Sequence, residues 1–209
     1  MSPITREQAA LLAAIAMVLL TGHSLFDNFV LLRESPALVA WGSVVPSFVW
    51  AIFFFAVYRN TSAAKTIAWI ALVALFIEAA AAYLRYQQSV SYWTPFGNAL
   101  SLQGWLLRLS WAAFLIAFAL APDHKRTRKI ALVVAIVCAP SALSTTFDSW
   151  NSWIGLIIDG APKEAFWRVV ITPAVRTIYW LSQILFLWST WGNPEPRDPA
   201  DVISTRLTP

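Results

Sequence analysis

The sequence predicts an all-α protein, a polytopic membrane helix bundle of six transmembrane helices plus a short outer interfacial amphipathic helix. Three observations carry this expectation. Of the 209 residues, 58% are hydrophobic and only 12% are charged, which leaves too little polar surface for a soluble domain of this length. Six apolar segments are long enough to cross a bilayer core, which takes about 20 helical residues. Twelve tryptophans in so small a chain fit the same class, because indole rings collect at membrane–water interfaces.

The spans are expected near 9–31, 38–58, 66–86, 99–121, 130–147 and 166–191. The first contains "AALLAAIAMVLL", short enough to be the core of a signal peptide and preceded by Arg6. No small-x-small cleavage site follows and "LFDNFVLL" extends the apolar run, so it reads as a span. "RESP", "RNTSAAK", "QQSVSYWTPFGN" and "PDHKRTRK" then separate the next spans in turn. Between the fifth and sixth, "DSWNSWIGLIIDG" places Trp150, Trp153, Ile154, Ile157 and Ile158 on one helical face. With Asp148 as N-cap and Gly160 as a stop, this predicts a helix over 149–159 that lies in the outer interface or flat over the bundle as a lid. Pro46, Pro140 and Pro173 each fall inside a span and favour bends. Residues 1–192 form the transmembrane domain; 193–209, rich in proline and without apolar periodicity, read as a disordered cytoplasmic tail.

Basic residues orient the bundle. With the amino terminus inside, the cytoplasmic side holds Arg6, Arg59, Lys65, Lys125, Arg126, Arg128, Lys129, Arg197 and Arg206. The outer side holds Arg33, Arg85, Lys163 and Arg168. The bias predicts a multi-pass protein of a cytoplasmic (inner) membrane with both termini in the cytoplasm. The net charge of +4 is read as topology and not as a nucleic-acid surface, since no aromatic–basic reading pattern accompanies it. The single cysteine, Cys138, excludes an internal disulfide and a cysteine metal cage. Two histidines, one of them in a loop, exclude a bis-His haem and a multi-His metal site. No phosphate-cradling glycine loop or GxSxG elbow occurs, and no cofactor or metal is expected. No repeat relates 9–86 to 99–191, and seven glycines in the whole chain argue against very close glycine-mediated helix contacts.

Charge inside the spans carries the functional expectation. His23 and Asp27 lie in the first, Glu78 in the third, Arg108 in the fourth and Arg176 in the sixth. At a rise of about 1.5 Å per residue, His23, Glu78, Arg108 and Arg176 fall about 10–15 Å below the outer interface. His23 and Asp27 share a face at i and i+4. Thr172, Arg176, Tyr179 and Gln183 form a polar stripe on the sixth span. Lipid cannot hydrogen-bond such groups, so they are expected to face the bundle interior or a wet cavity. Two acids and two arginines can also neutralise each other and simply hold helices together; Glu78 and Arg108, on adjacent spans, are the expected pair.

Three functions fit this pattern. In the first, the cavity opens toward the outer leaflet and binds, or also translocates, a small polar or amphiphilic ligand that is anionic or lipid-like. Arg108 and Arg176 then meet its anionic group, Glu78, His23 and Asp27 balance charge or carry protons, and Thr172, Tyr179 and Gln183 add hydrogen bonds. The second is a non-enzymatic accessory subunit of a larger membrane complex, with membrane lipids and other membrane subunits as partners. The third is a membrane-embedded acid/base enzyme acting on a lipid-like substrate through Glu78 and His23.

Overall fold

The computed structural model describes residues 4–26, 37–88, 95–158 and 163–192. They form six helices: α1 Arg6–Leu25, α2 Ala37–Tyr58, α3 Ala63–Gln88, α4 Pro95–Leu120, α5 Lys125–Ile158 and α6 Lys163–Gly192. No strand occurs among the described residues.

Local chemistry sets the helix ends. Thr5 caps α1: its hydroxyl accepts from the Gln8 N–H at 3.2 Å, and the Gln8 side chain accepts from the Thr5 N–H at 3.1 Å. This reciprocal arrangement satisfies two otherwise orphaned donors. Helix α2 ends on Asn60, whose left-handed φ of 47° lets two backbone bonds close the last turn. The Asn60 N–H donates to Val57 and the Thr61 N–H to Ala56, the pattern of a Schellman motif with asparagine in the usual glycine position. Between α4 and α5 the His124 imidazole accepts from the Arg126 N–H at 3.1 Å, and the buried Thr127 hydroxyl donates to the Ala121 carbonyl at 2.7 Å. One α5 side chain, Thr127, thereby bonds back to the carbonyls at the end of α4.

Helix α5 corrects the expectation of a separate amphipathic helix. Residues 149–158 continue α5 without a break; residue 159 lies outside the described residues. Asp148 caps a helix only where the backbone departs from helical geometry, and no proline or glycine between Pro140 and Gly155 makes it depart. At 34 residues and about 1.5 Å per residue, α5 is about 50 Å long, well beyond a bilayer core of about 30 Å.

Each helix packs against its neighbours in sequence, and α6 also packs against α1. The six therefore close a ring. Their up-and-down course puts Arg6, Asn60, Asp123 and Gly192 at one end, here the terminal end; the opposite end is the far end. Inside the ring, side-chain size alternates from helix to helix. Helices α1, α3 and α5 turn inward mainly small residues, including Ala9, Ala13, Ala68, Ala71, Ala131 and Ala135. Helices α2, α4 and α6 turn inward Phe53, Phe54, Phe114, Phe118 and Phe186, all at most 2% exposed. Large rings thus fill the spaces that alanines leave, giving interdigitation with few voids. Phe54 and Phe186 meet edge-on at 5.0 Å, and Phe53 and Phe118 at 5.3 Å, the geometry that aromatic quadrupoles favour. One helix contact is closer than the scarcity of glycine suggested. A Cβ placed on Gly42 would lie 2.6 Å from the Ala81 Cβ, so α2 and α3 touch almost backbone to backbone there.

The outer surface is apolar as well. Leu12, Ile15, Phe48, Phe55, Phe76, Leu109, Leu143 and Leu181 are all exposed, and helices that are apolar on every side belong in lipid. Arg6–Leu25, Ala63–Tyr83, Leu102–Leu120 and Lys125–Ser144 are long and apolar enough to cross a membrane, while Val44–Tyr58 is a shorter apolar stretch.

Candidate functional site

The aromatic packing fills the terminal half of the ring and stops partway. Beyond it lies a cavity of about 490 Å³ lined by residues of all six helices, within the size range of small-molecule sites. Its layers follow from helical rise. Measured from the terminal ends of their helices, Met17, Trp50, Trp111 and Gln183 sit at about 12–16 Å and form the floor. Arg108, Glu78 and Arg176 sit higher, at about 18–24 Å.

The floor is aromatic. Trp50 and Trp111 meet edge-on at 5.0 Å, and Trp180 packs against Tyr179 at 5.0 Å. Gln183 breaks this surface: it is 2% exposed, and its Nε2 has no hydrogen-bond partner among the described residues. The helical register makes it conspicuous. Trp50 precedes the buried pair Phe53 and Phe54, Trp111 precedes Phe114 and Leu115, and Gln183 precedes Phe186 and Leu187. Two helices thus place tryptophan where α6 places an amide.

Above the floor, Arg108 Nη2 lies 3.7 Å from Glu78 Oε1. Arg108 Nη1 donates to the Gly104 carbonyl at 3.2 Å, and the guanidinium carbon lies 6.0 Å from the Trp105 ring centre. Gly104 makes room for this fold-back, since a Cβ there would come within 3.3 Å of Arg108 Nη1. The Arg108 Nε is buried without a hydrogen-bond partner among the described residues. Arg176 is exposed and lines the cavity on its far-end side, together with Ser24, Gln103 and Ser144.

Polar ties at the same level join neighbouring helices. Gln103 Nε2 donates to the Ser141 hydroxyl at 3.0 Å, between α4 and α5. His23 Nε2 and the Thr172 hydroxyl lie 2.8 Å apart, between α1 and α6, so this bond sits on the seam that closes the ring. Trp150 Nε1 donates to the Thr177 hydroxyl at 3.3 Å, between α5 and α6.

Among the residues singled out from sequence, Glu78, Arg108, Arg176, Tyr179 and Gln183 line the cavity. His23 and Thr172 bond to each other and are not among its lining residues. Asp27 and the tail 193–209 lie outside the described residues. Sequence reasoning overlooked Trp50, which assignment of indoles to interfaces would leave at the membrane surface; it is 6% exposed in the bundle. A repeated signal was present, because tryptophan precedes phenylalanine by three residues at Trp50–Phe53 and Trp111–Phe114. Comparison with protein-family models, curated proteins and solved structures finds no match.

A second cavity, of about 550 Å³, lies at the terminal end beyond Val57 and Phe118 and is lined by Arg6, Asn60, Lys65, Asp123 and His124 among others. Arg6 Nη1 meets Asp123 Oδ1 at 2.6 Å. Helices α1 and α4 are opposite in the ring, so this pair spans the bundle below the aromatic core.

Proposed function

We propose that this chain is a six-span protein of a cytoplasmic membrane, with both termini in the cytoplasm, that binds a small amphiphilic anion in the cavity open toward the far end. The observation that carries the proposal is Arg176: an exposed arginine lining a cavity to which all six helices contribute. A guanidinium held at membrane depth is costly, and it suits a planar carboxylate or a phosphate that it can grip with two donors. Arg108 adds a second cation that Glu78 partly offsets. Below them the tryptophan floor accepts an apolar body. The basic residues of the terminal end supply the orientation, and the same cavity would serve a carrier that releases its ligand on the other side.

The accessory-subunit reading draws on a different observation. The Glu78–Arg108 and His23–Thr172 contacts tie helices together and need no ligand. Arg176 separates the two readings. Protein in lipid nanodiscs is titrated with decanoate, with empty nanodiscs as the blank. On the proposal, Arg176→Lys and Arg176→Gln keep the thermal stability of the parent and bind decanoate about tenfold or more weakly, the loss expected from removing one bidentate charge-assisted contact. If both variants unfold at markedly lower temperature, Arg176 is a packing residue and the accessory reading stands in its place.

A further inference from the structure

The floor of the cavity defines the other end of the ligand. We infer that the ligand lies tail-inward and carries an uncharged hydrogen-bond acceptor, such as a ketone, ester or quinone-type carbonyl, at its buried end, where Gln183 reads it. This rests on the amphiphile reading above and adds a chemical requirement to it.

The geometry comes from α6 alone. Arg176 and Gln183 are seven residues apart, about two turns and about 10 Å along one helix face. Between them lie Tyr179 and Trp180, with Trp50 and Trp111 facing across the cavity. A molecule whose anionic group meets Arg176 therefore presents apolar surface to the aromatic rings and brings its opposite end to Gln183.

That end is not indifferent to chemistry. Gln183 is 2% exposed and its amide donor is without a partner among the described residues, although a buried amide left unpaired is costly. A leucine or methionine would fill the same volume without that cost, as Leu187 does one turn further toward the terminal end. The amide gains its value when an acceptor arrives. The acceptor is uncharged because the floor is built of indole rings, a methionine and this one amide, with no cation among its described residues to neutralise a second anion.

Two probes of similar length separate the requirements: decanoate, with a carboxylate and a plain apolar tail, and monomethyl azelate, which adds an ester carbonyl at the far end of its chain. Both are titrated into nanodisc-embedded protein. The parent protein is expected to bind monomethyl azelate about threefold to tenfold more tightly than decanoate, the worth of one neutral hydrogen bond. Gln183→Leu should abolish or reverse that preference while retaining decanoate binding, and Gln183→Met, closer in shape, serves where Gln183→Leu does not fold. Equal binding of the two probes by the parent, or a preference that survives in the variants, overturns the inference and leaves the amphiphile site in place. Failure of both probes to bind, or binding indifferent to Arg176→Gln, overturns the cavity reading itself.

Discussion

Removing the carboxylate of Glu78 is a direct test of how the charges inside the ring are held. The pair lies at 3.7 Å, with Arg108 24% and Glu78 37% exposed. At that distance the raw attraction is about 1 kcal/mol in water and about 4–5 kcal/mol at an effective dielectric near 20. Both side chains are partly accessible from the cavity, and desolvation offsets much of the gain, so a net coupling of about 1–2 kcal/mol is expected. Glu78→Gln leaves Arg108 with the Gly104 carbonyl and the Trp105 face. Its cost should therefore fall below the 3–5 kcal/mol of a fully buried broken pair, at about 1–3 kcal/mol. For a chain of this size, that lowers the melting midpoint by about 5 °C. Arg108→Gln should cost a similar amount. The assay is a double-mutant cycle by thermal melts in mild detergent. The double variant is expected to recover about 1–2 kcal/mol relative to the sum of the single losses. Additivity to within about 0.5 kcal/mol would show that the two charges are not coupled, and the ion pair would then contribute nothing to holding α3 against α4.

Four further outcomes are expected. Gly42→Val should destabilise the α2–α3 contact by at least about 1–3 kcal/mol, because even a Cβ at 2.6 Å from the Ala81 Cβ forces the helices apart; an unchanged melt would refute the close approach. Phe186→Ala should cost about 2–4 kcal/mol, below or near the low end for a soluble core, because lipid removes part of the transfer contribution while the cavity left among Phe53, Phe54 and Phe114 remains. Arg6→Gln and Asp123→Asn should each lower stability, with partial recovery in the double variant; additive melts would sever the α1 to α4–α5 link across the terminal end. With the buried Cys138 replaced by alanine, a cysteine at the exposed Asn151 should react with an impermeant thiol reagent on intact cells, and one at the exposed Ser62 should not. The reverse pattern would invert the proposed orientation.

The presence of Glu78, Arg108 and Arg176 within apolar helices was legible in the sequence because ionisable residues in apolar runs stand out one at a time. Glu78 and Arg108 could be paired because they lie on consecutive helices, whose packing a short connection favours. The bond between His23 and Thr172 was not legible: 149 residues separate them, and only closure of the ring through α1 and α6 brings them together. Gln183 was visible as one member of a polar stripe. Its isolation depends on what faces it from α2 and α4, and no stretch of α6 records that. Trp50 was missed for a related reason, since an indole inside a span follows the same composition rule as one at the interface until its packing partners are known.

The sequence by itself determined the all-helical class of the protein, the approximate extent of its apolar segments and the distribution of its basic residues. These are local properties: hydropathy over about 20 residues and helical rise do not depend on neighbouring helices. Tertiary structure alone decided which faces turn inward. Helices that meet both lipid and one another are apolar on every side, so apolar periodicity, which marks the inner face of a soluble helix, carries little signal here. Inward and outward are set instead by size, with alanine faces set against phenylalanine faces across each seam. Because the ring closes around those contacts, the space left unfilled above them becomes a cavity with an amide at its floor and an arginine on its far-end side.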